Sequence, residues 1–254
     1  NSAPDSPSNP DPYNGENTVG LDPNLDVSVS DPDGDSMDVD FYTGGGSYID
    51  TDYSVCSGCT ATVSWNNRNP GNNYDWYAVA DDGSASTSSG TWSFDTVHRP
   101  NNPSVNSPAP GSSGVSTSQN LRADVSHPDG LDMDVDFYID ENNDGSYETT
   151  ITDTNVNSGG TASASPSLSA GTQYSWYVRA RTNGYPTSNS NAGNPWTFTT
   201  NYAPSVDSVS KTDSSSDHAF STVSAVVSDP DGDDDISSYS LTVDDGQGNT
   251  RSYS

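Results

Sequence analysis

Three stretches of the chain place oxygen donors on alternate residues of a tight turn. Asp31-Pro32-Asp33-Gly34-Asp35 and Asp229-Pro230-Asp231-Gly232-Asp233 do so around a proline and a glycine, and Asp140-Glu141-Asn142-Asn143-Asp144-Gly145 does so at the end of an alternating run. Calcium takes hard oxygen ligands of this kind, about 6–8 of them at roughly 2.4 Å. In the third stretch the oxygens fall at about the first, third and fifth places and a glycine follows, as at the start of a calcium loop. Ile151 stands where a closing bidentate acid is expected, and Glu148 could serve in its place. The predicted ligands are therefore Asp140, Asn142, Asp144 and Glu148, with Asp31, Asp33, Asp35 and Asp229, Asp231, Asp233 as two further sets. Aspartate and glycine also make turns with no ion at all, so on the residues alone both readings stand. In His127-Pro128-Asp129-Gly130-Leu131, His127 and Leu131 replace two of the carboxylates, and a weaker site or none is expected there.

Cys56-Ser57-Gly58-Cys59 holds the two cysteines of the chain. A zinc site needs four ligands and there is no second pair; a redox motif needs a βαβ setting that is missing. A local disulfide between Cys56 and Cys59, suited to an oxidising extracellular setting, is the remaining reading. His98, His127 and His218 are scattered, and serine and aspartate are too common for a triad to stand out, so no catalysis is expected.

These residues sit in a chain of 254 with 36 acids, 7 bases and a formal charge of −29. Such a balance repels nucleic acid and anionic lipid. No run approaches the roughly 18 apolar residues of a membrane span, and no signal peptide is seen. Asn1 in place of Met reads as a processed chain or a segment of a longer one. Of the acids, 33 are Asp and 3 are Glu. Two exposed carboxylates about 5 Å apart cost roughly 0.8 kcal/mol in water, and at molar salt the screening length falls to about 3 Å. A salt-loving source is expected, with calcium-rich surroundings as the second choice.

Leu, Ile, Val and Phe make up about 14 % of the chain, below the roughly 20 % that marks disorder in a charged chain. Against that stand 14 Tyr and 5 Trp, and Val outnumbers Leu more than threefold, which suits strands. Self-comparison organises the rest. Met37-Asp38-Val39-Asp40-Phe41-Tyr42 recurs unchanged as Met133-Asp134-Val135-Asp136-Phe137-Tyr138, and the proline turn occurs three times. Tyr74-Asp75-Trp76-Tyr77 matches Tyr174-Ser175-Trp176-Tyr177, and Trp92-Ser93-Phe94 matches Trp196-Thr197-Phe198. A period near 100 residues is the size of one β-sandwich. The modules are predicted at 1–98, 99–201 and, incomplete, 202–254. Period-two alternation turns Met133, Val135, Phe137 and Ile139 inward with Tyr174, Trp176, Val178 and Ala180, and leaves Tyr42, Tyr77, Tyr138 and Tyr177 outward. Minimal helix is expected.

Leu168-Ser169-Ala170-Gly171-Thr172-Gln173-Tyr174-Ser175-Trp176-Tyr177-Val178 resembles the E–F corner and F strand of fibronectin type III domains, in which a Leu six residues before a Tyr marks the tyrosine corner. Trp196-Thr197-Phe198-Thr199-Thr200 is similar to the last strand of prokaryotic variants, which occur in tandem on archaeal and bacterial surface proteins. Module 1 departs from the pattern, with Arg68 in place of the Leu and Trp65 nearby as a substitute plug. The resemblance implies an all-β fold of tandem antiparallel β-sandwiches, fibronectin III- or immunoglobulin-like, in an extended rod.

The function expected is structural: a stalk, or a subunit of a cell-surface filament, S-layer or virion fibre, extracellular, calcium-stabilised and haloarchaeal. Its partners would be copies of itself, other surface or virion proteins, or a glycan or cell receptor. The alternative is a spacer or carbohydrate-binding module of a secreted hydrolase. With 24 Asn and 69 Ser plus Thr, about six or seven Asn-x-Ser/Thr sites are expected by chance and none occurs, which favours close packing against partners.

Overall fold

The computed structural model describes residues 1–185, 189–190, 195–213, 220–231, 240–244 and 250–253. Residues 1–98 supply nine strands: β1 (Ser8–Asp11), β2 (Glu16–Val19), β3 (Asn24–Ser28), β4 (Met37–Thr43), β5 (Tyr48–Val55), β6 (Thr60–Ser64), β7 (Asn73–Asp81), β8 (Ser86–Ser88) and β9 (Trp92–Thr96). Residues 99–201 supply eight: β10 (Ser104–Ser107), β11 (Ser112–Val115), β12 (Leu121–Asp124), β13 (Met133–Asp140), β14 (Thr149–Val156), β15 (Thr161–Ala164), β16 (Gln173–Thr182) and β17 (Trp196–Thr200). Beyond them lie β18 (Ser205–Asp213), β19 (Phe220–Ser228), β20 (Leu241–Asp244) and β21 (Thr250–Tyr253). No helix of the described residues is long and apolar enough to cross a membrane.

The first two modules repeat one topology. A sheet in the order β1-β3-β6 faces one in the order β2-β9-β7-β4-β5, and β10-β12-β15 faces β11-β17-β16-β13-β14. The pairing is antiparallel except where β2 and β11 run parallel to β9 and β17, because the first strand of each module switches sheets partway along. The protein is therefore a series of tandem β-sandwiches. In the third unit β18 pairs with β19 and β20 with β21, and Val206, Val209 and Val226 are exposed.

The alternation predicts the core residue by residue. Met133, Val135, Phe137 and Ile139 are buried, as are Tyr174, Trp176, Val178 and Ala180. Aromatic rings make up for the scarcity of leucine. Phe137 stacks on Trp176 at 6.0 Å, Phe41 on Trp76 at the same distance, and Tyr174 on Phe198 at 5.4 Å. A buried aromatic removes far more surface from water than a valine does, so few residues suffice to hold each pair of sheets.

Both tyrosine corners are closed. The Tyr174 hydroxyl accepts the Ser169 N–H at 2.8 Å, and the Tyr74 hydroxyl accepts the Asn69 N–H at 2.8 Å. In module 1, Trp65 is buried edge-on to Tyr74 at 5.3 Å, the plug expected in place of a leucine. Arg68 instead lies outside it, its guanidinium 4.5 Å from the Trp65 ring centre, and donates to the Asn66 carbonyl. Replacing Tyr174 by Phe strands the Ser169 N–H and should lower the stability of module 2 by about 1–2 kcal/mol in urea unfolding of the chain. A loss under about 0.3 kcal/mol would show that the corner is not a clasp.

Candidate functional site

The three proline turns are built alike. In the first, Asp31 Oδ1 accepts the Asp33 N–H at 2.8 Å and the Gly34 N–H closes on the Asp31 carbonyl. In the second, His127 Nδ1 accepts the Asp129 N–H at 3.0 Å and Gly130 closes on the His127 carbonyl. In the third, Asp229 Oδ1 accepts the Asp231 N–H at 3.3 Å. The turn fixes the second aspartate, which then holds a backbone N–H from about thirty residues upstream. Asp33 takes that of Ser2, Asp129 takes that of His98 at 2.8 Å and Asp231 takes that of Tyr202 at 3.1 Å.

The other side of the same peptide group belongs to the preceding module. The N–H of His98 shares its peptide plane with the carbonyl of Val97, and that carbonyl accepts the Gly71 N–H at 3.1 Å. The Asn201 carbonyl likewise accepts the Gly171 N–H at 2.9 Å while the Tyr202 N–H goes to Asp231. One peptide unit thus joins each module to the next, with an N–H on one side and a C=O on the other. Gly71 and Gly171 have φ of +67° and +60°, and a Cβ on Gly171 would stand 2.6 Å from the Tyr202 ring, so only glycine admits both the backbone and the neighbouring ring. His98 adds a second contact, Nδ1 to Asp129 Oδ1 at 2.7 Å.

His127 is 4 % exposed. Because its Nδ1 accepts a backbone N–H, its proton sits on Nε2, which donates to Thr182 Oγ1 at 2.9 Å. Burial holds its pKa below the ordinary value of 6.5, against the opposite pull of Asp129.

In the loop after β13, the carboxylates of Asp140, Asp144 and Glu148 lie with oxygens within 4.8 Å of one another. Asp140 is buried; its Oδ1 accepts the N–H groups of Asn142 and Asp144, and its Oδ2 that of Gly145 at 2.8 Å. Asn142 Oδ1 also accepts the Asp144 N–H, and Glu148 accepts the Glu141 N–H at 3.0 Å. Hydrogen bonds from Ser146 hold the Asp144 carboxyl below the usual range. Three converging carboxylates with free lone pairs suit a hard cation.

Asp31, Asp33 and Asp35 do not converge in this way. Asp31 Oδ1 is taken by the N–H groups of both Asp33 and Asp35, and Asp33 is turned to Ser2. Asp229 and Asp231 repeat the turn, whereas Asp233 and His218 lie outside the described residues. Cys56 and Cys59 are joined by a disulfide, with Cα atoms 5.3 Å apart, in the turn between β5 and β6. The peptide bridge is not among the features expected from the sequence. Its signal was present: the second aspartate is the one acid of the turn kept in all three copies, while the first alternates between Asp and His.

The four outward tyrosines form matching pairs. Tyr42 stacks on Tyr77 at 5.3 Å with Tyr48 edge-on, and Tyr138 stacks on Tyr177 at 4.6 Å with Tyr147 edge-on. Burial, then the neighbouring Asp40, raises the pKa of Tyr42. Beside the second pair, Arg181 grips Asp136 through two nitrogens at 2.7 and 3.1 Å.

No family model matches the chain, and no curated protein is similar to it. Among solved structures it is similar to the fibronectin(III)-like modules of CbhA from Clostridium thermocellum, with 20 % identity over 76 % of this chain and 93 % of that one, and a TM-score of 0.35. A two-domain fibronectin type III segment of chicken tenascin has 12 % identity over 77 % of this chain and 100 % of that one, with a TM-score of 0.32. The FN1–FN3 domains of chicken CNTN1 have 13 % identity over 82 % and 72 %, with a TM-score of 0.31.

The His127 arrangement sets a pH dependence. A folded-state pKa below 6.5 means that the unfolded chain binds the extra proton first. Stability from this site is present above about pH 6.5 and is lost as the pH falls below it, until the folded pKa is reached. The melting temperature of module 2 should therefore fall as the pH drops below about 6.5. The fall should be absent in His127→Asn, a variant that keeps a side-chain acceptor for the Asp129 N–H. An unaltered profile in that variant would assign the fall to other groups.

Proposed function

We propose that the protein is an extracellular structural or adhesive element, a stalk of tandem β-sandwiches or a subunit of a surface filament, S-layer or virion fibre. The peptide bridge carries this reading. A spacer that only tethers its neighbours needs no fixed joint, and a glycine- or serine-rich linker would serve. Here the linker is held from both sides at one peptide, twice in the chain, by residues placed for the purpose.

The charge fits a surface in concentrated salt, since 36 acids face 7 bases. Calcium at Asp140, Asn142, Asp144 and Glu148 would fix the loop after β13 and relieve the repulsion among its carboxylates. The tyrosine pairs favour a second reading, carbohydrate binding by modules of a secreted hydrolase, because paired rings on an open sheet face suit sugar contacts. Binding of soluble oligosaccharides that is lost in Tyr177→Ala would support it; a stalk binds none.

The joint is tested on the whole chain by small-angle scattering. Asp129→Ala removes both contacts to His98, at its N–H and at Nδ1, each charge-assisted bond worth about 1.5–3 kcal/mol, and should broaden the distance distribution with module melting temperatures unchanged. Identical scattering from both proteins would sink the fixed-joint reading. Separately, calcium should raise the melting temperature of module 2, and alanine at Asp140, Asn142 and Asp144 should abolish the rise. A rise that survives those changes places the ion elsewhere.

A further inference from the structure

Asp31 and His127 are the same residue of the repeat. Each donates its N–H to a serine hydroxyl, Ser57 or Ser158, and takes that hydroxyl's proton on its carbonyl at 3.1 Å. Each accepts the N–H two residues on, through Oδ1 in one and Nδ1 in the other. Their remaining atoms differ. His127 Nε2 reaches Thr182 Oγ1, whereas Asp31 Oδ2 is buried with no hydrogen-bond partner, on a residue only 6 % exposed.

Strand register identifies what stands across from it. Met133 pairs with Thr182; Asp38 pairs with Asp81, which sets Asp82 opposite Met37. Asp82 is thus the module 1 counterpart of Thr182. The two positions that share a His–Thr hydrogen bond in module 2 carry Asp31 and Asp82 in module 1. The aspartate is shorter than the imidazole by the depth of the ring, and its Oδ2 has no donor where His127 Nε2 has Thr182. Asp82 Oδ1 accepts the N–H groups of Ser84 and Ala85, and its Oδ2 accepts from the Asn1 amide.

We propose that module 1 binds a hard metal cation, calcium by charge, between Asp31 Oδ2 and Asp82, where the imidazole of His127 fills the same place in module 2. Two carboxylates on these neighbouring positions repel, and a buried carboxylate oxygen without a donor is costly. A divalent cation removes both penalties, and backbone carbonyls and water complete its shell. The site lies at the end of the module where its first residues run, since Asp33 of the same turn holds the Ser2 N–H and Asp82 the Asn1 side chain. Metal there would tie the turn, the end of β7 and residues 1–2 together. The inference deepens the calcium part of the proposed function and does not depend on the peptide bridge or on the loop after β13.

The test titrates calcium into the full chain by calorimetry, in a background with Asp140→Asn, Asp144→Asn, Glu148→Gln and Asp229→Asn to silence the other acidic turns. One equivalent of calcium should bind. Adding Asp31→His with Asp82→Thr, which installs the module 2 solution, should remove it while module 1 melts in chelator no lower than before. Asp31→Asn, closest in shape, should weaken binding at least tenfold and guards against a failure of the double variant to fold. Magnesium and potassium arms identify the ion: potassium binding in place of calcium overturns the divalent assignment. No stoichiometric cation in the silenced background, or one that persists in Asp31→His/Asp82→Thr, overturns the site. Scattering by the unsilenced chain remains an independent measure of the joint, so failure here leaves the stalk reading to stand or fall separately.

Discussion

A single peptide group stands between consecutive modules, and its two polar ends are claimed by different domains. The arrangement works because each claimant is itself held. Gly71 and Gly171 sit in a left-handed turn, which aims their N–H groups at the linker carbonyl. Asp129 and Asp231 are aimed by the first residue of their own proline turn, which occupies their N–H. A glutamate at the same place would carry one more rotatable bond and lose more freedom on making the contact. Ordering a linker by one peptide also confines the remaining motion to a few backbone dihedrals.

The same economy explains the excess of aspartate over glutamate. With 7 bases for 36 acids, ion pairing cannot neutralise the surface, although Arg181 does grip Asp136. The carboxylates are instead used as acceptors for backbone N–H groups near strand ends and bulges. Asp38 takes that of Ser54 and Asp134 that of Asn155; Asp52 takes that of Thr62 and Asp153 that of Ser163. These pairs fall at equivalent places in the two modules. A short acidic side chain can reach a main-chain donor beside it, which a longer one overshoots. Acidity that would weaken the fold as bare charge thus contributes to holding it.

Much of the fold was legible because strand alternation and the repeat are local, redundant signals. The buried sets on β13 and β16 follow from period two, and the corner from Leu168 and Tyr174. Trp65 was also readable as the plug of module 1, though the place of Arg68 outside it was not, since a cation over a ring leaves no periodic mark. Of the site, the loop holding Asp140, Asp144 and Glu148 was legible because its donors are close in sequence. The contact of Asp33 was not: spacing suggested an ion ligand, and nothing local shows that its carboxylate also takes the N–H of a residue 31 positions away. The correspondence of Asp82 to Thr182 depends on register between β4 and β7, which no local pattern reveals.

The hexapeptide Met37–Tyr42 is identical to Met133–Tyr138, and each copy is the inner strand between two partners of its sheet. During synthesis the two are interchangeable as far as their own side chains go, and tandem domains with like strands are prone to exchange them. The neighbours supply the distinction. β13 meets Arg181 on β16, which seizes Asp136, whereas β4 meets Asp81 at the corresponding place on β7. The Cys56–Cys59 link marks the next turn in the first copy and has no counterpart at Asn157 and Gly160 in the second. Divergence outside the repeated strand is therefore what tells the two copies apart.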